Sequence, residues 1–374
     1  MKISKFIIAL CFIICVSCNR TGDEDNIRLI TVDVHTQAAI EDIVKSLDGY
    51  IFLETNDSSI LQGIDKLKIE HDTIYIADGD VLHLFGRKDG KWLGKIDRQG
   101  RGPGEYLGLT DFDVYDSHIY ILSRVDNKVV VYDTSGNAEE TIRTADGFSR
   151  IQIGGEGEIW LYSSNSNDTG YNFVLIDHSG KIQVEQDPFP VNSGFIIGED
   201  NPFCGLGADC IYTAGFFDNT VYALSEKIYR PEYRFNANLE HLVTQQELKD
   251  RDISEIYDEY RFKEVWRQLR HVAVSDNKLV AEMSCFLSGR GNRTYMIAAD
   301  LNTGASKVYL MREKTDPEFP LFDSGDIAGY DGKTVISSIY ASVAKQQGEE
   351  YGFEDLAAIS EYDNPVLVFH TLNY

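Results

Sequence analysis

Residues 110–142 read TDFDVYDSHIYILSRVDNKVVVYDTSGNAEETI. The stretch divides into TDFDV, a turn at Asp116-Ser117, HIYILS, KVVVYD, a turn at Thr134-Ser135-Gly136-Asn137, and AEETI. β-Branched and aromatic residues fill the runs, and Asp, Ser, Asn and Gly separate them. That is a four-stranded antiparallel unit with tight turns. The plan recurs upstream as DKLKI, TIYIAD, VLHLFG and WLGKID, and downstream as SRIQIG, EIWLYS, YNFVLID and KIQVEQ. A weaker copy is CIYTAG, TVYALS and YRPEYRF. A fifth is HVAVS, KLVAEMS, TYMIAAD and SKVYLM; a sixth is DIAGYD, TVISSIY and, much later, PVLVFHTL. The second strands centre near Tyr75, Tyr120, Trp160, Tyr212, Val280 and Ile336. Six such units of about 40–50 residues predict an all-β, six-bladed β-propeller of four-stranded blades.

The sixth unit lacks a strand. The N-terminus is expected to close the ring with IRLITVDV (27–34) or YIFLE (50–54). Between them, TQAAIEDIVKSL (36–47) carries Ala39, Ile40, Ile43 and Leu47 at helical spacing and predicts a short helix beside the ring.

The 374 residues include 60 acidic and 35 basic side chains, for a net charge of -25. Such a balance excludes nucleic acid as a partner, because phosphate binding needs a dense basic surface. It also excludes docking on anionic lipid by charge alone. At 43% hydrophobic and 11% aromatic, the chain can bury a sizeable core.

Lys2 and Lys5 precede an apolar run from Phe6 to Val16, then Ser17-Cys18. This is the pattern of a secretory signal, and it is short of the roughly 20 apolar residues of a spanning helix. Ser17-Cys18 resembles the bacterial lipobox, with Cys18 lipidated, although Cys15 stands where Leu is usual. A plain cleaved signal is the alternative. The expected organisation is a signal peptide at 1–17, a flexible tether at 18–26, and one propeller domain at 27–374. The acidic triplet Asp23-Glu24-Asp25 resembles a surface-export signal of Bacteroidetes lipoproteins; otherwise it is a solvated leader. Without residues 1–17 the balance is 33 basic against 60 acidic, or -27. Cys204, Cys210 and Cys285 then remain beside Cys18; a Cys204–Cys210 bridge is possible in an oxidising compartment.

Arg101-Gly102-Pro103-Gly104-Glu105-Tyr106 resembles the GxGPGEY-type signature of the six-bladed propeller lipoproteins of Bacteroidetes, which are related to NHL repeats. Tyr50-Ile51-Phe52-Leu53-Glu54-Thr55 resembles that family's YIPLET segment, with Phe52 in place of Pro. Asp363-Asn364-Pro365-Val366-Leu367 resembles its closing DNPVL strand. The resemblance implies fold and an outer-membrane or cell-surface compartment, and carries over no catalytic residue. Read locally, Gly-Pro-Gly is a blade connector whose Glu105 and Tyr106 pack or hydrogen-bond nearby; a ligand role is the alternative.

With the strands of a blade lettered a to d outwards, the a–b and c–d turns share one face and the b–c and d–a links the other. The long segments 187–208, 236–268, 313–324, 286–293 and 340–363 all fall on the second face, which becomes the expected binding surface. Within it, 242–270 predicts a helical insertion, with Thr244 as N-cap, Glu247 at the capping-box position, and Trp266 among its aromatics. The helix either lids the fourth blade or offers an aromatic platform. Arg101, Arg267, Arg270, His271, Arg290 and Arg293 gather on the same face. They either pair with neighbouring acids or receive a carboxylate or phosphate.

The first function class is therefore a binding or scaffold module for a glycan, a peptide or an outer-membrane protein partner. The second is a propeller enzyme of lactonase or lyase type with a divalent cation, such as Ca2+, in the channel. Its weak ligand candidates are Asp65, Asp111 and Asp113, with Glu105; Asp111 and Asp113 lie on one face of an inner strand. The sequence has no GxSxG, HExxH or GxxxxGK[ST] motif. His271 could serve as a base, but a lone His is more often structural.

Overall fold

The computed structural model describes residues 27–373 except 190–200, 207–209, 226, 244–246, 248–249, 252, 261, 288–290, 312–317, 323 and 332. The first two strands are β1 (Arg28–Val32) and β2 (Val44–Phe52). Blade one is β3 (Lys66–Glu70), β4 (Thr73–Asp78), β5 (Val81–Gly86) and β6 (Trp92–Ile96). Blade two is β7 (Asp111–Tyr115), β8 (His118–Ser123), β9 (Lys128–Asp133) and β10 (Ala138–Arg143). Blade three is β11 (Arg150–Ile153), β12 (Ile159–Tyr162), β13 (Tyr171–Ile176) and β14 (Ile182–Pro188). Blade four is β15 (Phe203–Leu206), β16 (Ile211–Ala214), β17 (Thr220–Ser225) and β18 (Ile228–Ala237). Blade five is β19 (Val265–Ser275), β20 (Lys278–Leu287), β21 (Gly291–Asp300) and β22 (Ser306–Met311). Blade six is β23 (Asp326–Asp331), β24 (Thr334–Ile339) and β25 (Val366–Leu372), completed by β2. The six-bladed propeller expected from the repeat is the observed fold.

Both N-terminal candidates are used. β2 pairs antiparallel with β25, Val44 against Leu372 and Phe52 against Val366, and closes the ring. β1 runs parallel to β18, Arg28 against Tyr233, as a fifth strand on blade four. It also reaches blade five, where the Thr31 N–H donates to the Gly304 carbonyl at 2.8 Å. The helix expected over 36–47 is replaced by one 3-10 turn at Ile40–Asp42, after which Val44 enters β2. Ile40, Ile43 and Val44 are still buried, packed between blades five and six against Met296, Tyr309 and Phe322. Of the four positions expected on the helix face, Ile40 and Ile43 thus serve an extended chain, while Ala39 is exposed and Leu47 packs elsewhere.

Alternation of burial survives on outer strands, through β6 and the first four residues of β14. The middle strands β8 and β9 are buried almost throughout, because a neighbouring blade covers each face. Buried side chains accordingly cluster in the gaps between blades: Tyr75, Leu82, Phe112 and Ile119 between one and two, Leu67, Ile74, Ile336 and Leu367 between six and one. The a–b turns at Asp116-Ser117 (φ 48° and 62°) and Asp276-Asn277 (φ 48° and 59°) are left-handed at both positions, the two-residue hairpin form that follows strand twist. The c–d turns of blades one and three lock each to the blade before. A Cβ at Gly90 would strike the Phe52 carbonyl, and one at Gly180 the Arg143 carbonyl.

Helices sit only in links of the later blades among the described residues. In the segment 242–270 the helix α1 covers Ile253–Tyr260, and β19 begins at Val265. Thr244 lies outside the described residues. Two helices not expected from sequence, α2 (Ala341–Tyr351) and α3 (Glu354–Ala357), fill the b–c link of blade six. No helix among the described residues is long and apolar enough to cross a membrane.

Candidate functional site

The inner strands surround a central channel with a cavity of about 970 Å³. Three consecutive inner strands open on a polar–apolar–polar triplet: Lys66-Leu67-Lys68, Asp111-Phe112-Asp113 and Arg150-Ile151-Gln152. Alternation sends the first and third side chains of each triplet to the channel. There they interlock between blades. Lys66 Nζ donates to Asp111 Oδ1 at 2.9 Å and to the Phe112 carbonyl at 2.6 Å. Asp111 Oδ2 accepts the Ile151 N–H at 2.8 Å. Lys68 pairs with Asp113 Oδ1. Asp113 Oδ2 accepts from Gln152 Nε2 and from the Ile153 N–H, both at 2.6 Å. Asp111 and Asp113, candidates for a cation, thus hold blades one, two and three together. Asp65 Oδ2 accepts the Gly79 N–H at 2.8 Å, and Glu105 lies away from the channel lining. Among the described residues, no three His, Cys, Asp or Glu side chains stand close enough to share a metal ion.

The other side of the channel is built differently. The register of β19 slips between Arg270 and Ala273, and His271 takes φ 50°. This is a β-bulge, which re-aims side chains at the cost of local ladder bonds. The inner strand of blade four fits against it: a Cβ at Gly205 would collide with the Val272 carbonyl. Behind the bulge lies Glu282 of β20, only 2% exposed. Its Oε1 accepts from Arg270 Nη2 at 2.7 Å, and its Oε2 is 3.9 Å from His271 Nε2. Burial pulls the His271 imidazole below its ordinary value, and Glu282 works against that pull. Asp326 and Tyr330 of β23 line the same space, the Tyr330 ring 6.2 Å from that of His271.

The residues singled out by sequence therefore separate into three groups. Arg270 and His271 are at the channel. Trp266, Arg267 and Arg293 are in blade five but off the channel lining: Trp266 is fully buried in β19, its Nε1 donating to the Asp218 carbonyl at 2.8 Å. The Arg267 guanidinium lies 5.5 Å over the Phe216 ring. Beneath it, burial and Glu264 push the Cys285 thiol up to about 12, while Arg293 and Arg267 draw it down. No disulfide joins Cys204, Cys210 or Cys285. Arg290 lies outside the described residues, as does Cys18.

The third group is the connector between blades one and two. Tyr106 is fully buried, its hydroxyl donating to the Asp80 carbonyl at 2.8 Å and the Ile96 carbonyl at 3.2 Å; burial pushes it up to about 12. Glu105 Oε2 accepts the Gly102 N–H at 2.7 Å, and the Gly104 carbonyl accepts from Tyr132. Arg101 is exposed on this rim. The local reading of the Gly-Pro-Gly segment accounts for these contacts. Sequence reasoning passed over Lys66, Lys68, Arg150, Glu282 and Tyr330. The polar–apolar–polar triplets at inner-strand starts were the available signal for the first three.

No curated protein matches the chain. A solved structure from Bacteroides fragilis, described as an exported protein, superposes with a TM-score of 0.74 at 19% identity, over 92% of this chain and 100% of its own. A member of the DUF4221 family from Bacteroides vulgatus follows at a TM-score of 0.51 and 10% identity, over 88% and 97%. At these identities the likeness is one of fold. A family model described as a domain of unknown function, DUF4934, matches residues 27–371, the whole ring with both closing strands, and the chain belongs to that family.

Proposed function

We propose that the protein is exported, is anchored in the outer membrane through a lipid on Cys18, and works as a binding module. Its ligand is a glycan, a peptide or a segment of an outer-membrane partner, which enters the central channel from the long-loop face. The observation that carries this reading is the channel itself. It is a roomy concave cavity on which polar and charged side chains converge from the inner strands, those of blades one to three braced to one another, and a cavity with convergent polar groups is the default candidate for a binding site. The leader at residues 2–18 supports export.

Gly329 lines the cavity, and a Cβ placed there meets nothing within 4 Å. Gly329→Trp should therefore obstruct the channel without disturbing the blades. A ligand found on a glycan and peptide array should bind this variant at least about tenfold more weakly, a loss of about 1.4 kcal/mol. Unchanged binding to a folded Gly329→Trp protein would move the site off the channel.

A further inference from the structure

Arg270 and Glu282 are not an ordinary surface pair. Glu282 is buried, while the Arg270 side chain is 43% exposed and lines the cavity. A guanidinium carries five N–H donors in a planar fork. The 2.7 Å bond from Nη2 to Glu282 fixes that plane from behind and leaves donors for an acceptor in the channel. The bulge that sets Arg270 and His271 side by side is itself secured, since the Val272 carbonyl seats against Gly205.

We propose that Arg270, oriented by Glu282 and flanked by His271, is a carboxylate-binding site of the channel. Its ligand is a small organic monocarboxylate. The inference rests on the channel-binding reading and names its ligand class. A planar carboxylate matches the guanidinium fork through two parallel bonds, which a tetrahedral dianion does less well. Charge narrows the class further. Asp65, Asp111, Asp113, Asp326 and Asp331 line the cavity against Lys66, Lys68, Arg150 and Arg270, a near-balance inside a chain of net charge -25, which does not favour a second negative charge on the ligand. Asp65 is an acceptor for a hydroxyl or ammonium group on the body of the ligand. The source is then a hydroxy acid or an amino acid, both sharing one carboxylate and several donors.

Isothermal titration of the protein with D-glucuronate, glycine, D-glucose and inorganic phosphate tests this. D-Glucuronate or glycine should bind saturably, the one that binds naming the source, and D-glucose and phosphate at least about tenfold more weakly. Arg270→Gln should abolish the carboxylate response. Because that change strands a buried Glu282, Arg270→Gln/Glu282→Gln, which removes both charges, should show the same loss at an unchanged melting temperature. Arg101→Gln on the rim should bind as the unmodified protein does. The proposal is overturned if neither carboxylate binds, if D-glucose or phosphate binds as tightly, or if the folded double variant keeps its affinity. D-Glucose binding that Gly329→Trp abolishes would overturn the carboxylate assignment and leave the channel reading standing. Carboxylate binding indifferent to Gly329→Trp would remove both.

Discussion

Blades one to three and blades four to six grow from the same four-strand unit and end up unlike. The first three use strands of 4–7 residues joined by links without helices, and their inner strands are stitched by Lys66–Asp111 and Lys68–Asp113. In blade five, β19, β20 and β21 run to 11, 10 and 10 residues. Blade four takes a fifth strand, blade six takes its outer strand from the N-terminus, and every described helix lies among these three. One half of the ring spends its channel polarity on holding blades together. The other half turns a bulge, a half-exposed Arg and an imidazole towards the cavity.

The sharpest way to break that contrast is Asp113→Ala. Asp113 is fully buried and receives Lys68, Gln152 and two backbone N–H groups. Its removal strands the half-buried Lys68 ammonium, the buried Gln152 amide and two backbone N–H groups, for an expected loss of about 3–5 kcal/mol in denaturant unfolding. A loss below about 1 kcal/mol would mean that the polar stitching is dispensable.

The next effect is expected in the irregular half. His370 of β25 is wholly buried against Phe319 and Phe322, and burial lowers it to about 4. The unfolded chain takes up this proton near pH 6.5, before the folded protein can. Stability from this group is thus complete above pH 6.5 and is lost as pH falls towards 4, by up to about 3 kcal/mol. His370→Leu should flatten that limb of the stability curve; parallel curves for the two proteins would refute the assignment.

A smaller effect belongs to the seam between blades four and five. Gly205→Ala drives a methyl into the Val272 carbonyl and should cost about 1–3 kcal/mol. Gly329→Ala, open to the channel, should stay within about 0.5 kcal/mol. Equal melting temperatures for the two would show that the bulge is not held by its neighbour.

Much of the ring was legible in sequence because each blade repeats a local pattern of β-branched runs and turn residues. The six second strands stand where Tyr75, Tyr120, Trp160, Tyr212, Val280 and Ile336 marked them. What escaped was set by contacts between blades. Leu242–Arg270 has apolar residues at helical spacing, yet from Val265 onwards they pair with β20 and become strand, a tertiary override of a local period. In α2, Gln346, Gln347 and Gly348 blur the helical stripe, and Gln347 and Gly348 are nevertheless buried. Likewise, Asp111 and Asp113 look like paired ligands in one strand; the lysines that occupy them are 45 residues away along the chain.

The direction of β1 decides which face of the ring each of its ends approaches. β18 leaves the c–d turn at Lys227 and rises to the long-loop face, and β1 runs parallel to it. Arg28, opposite Tyr233, is therefore the end of β1 nearer the face of short turns, and Val32, opposite Ala237, the end nearer the long-loop face. β1 thus runs towards the face that carries the mouth of the channel, with α1, α2 and α3 around it.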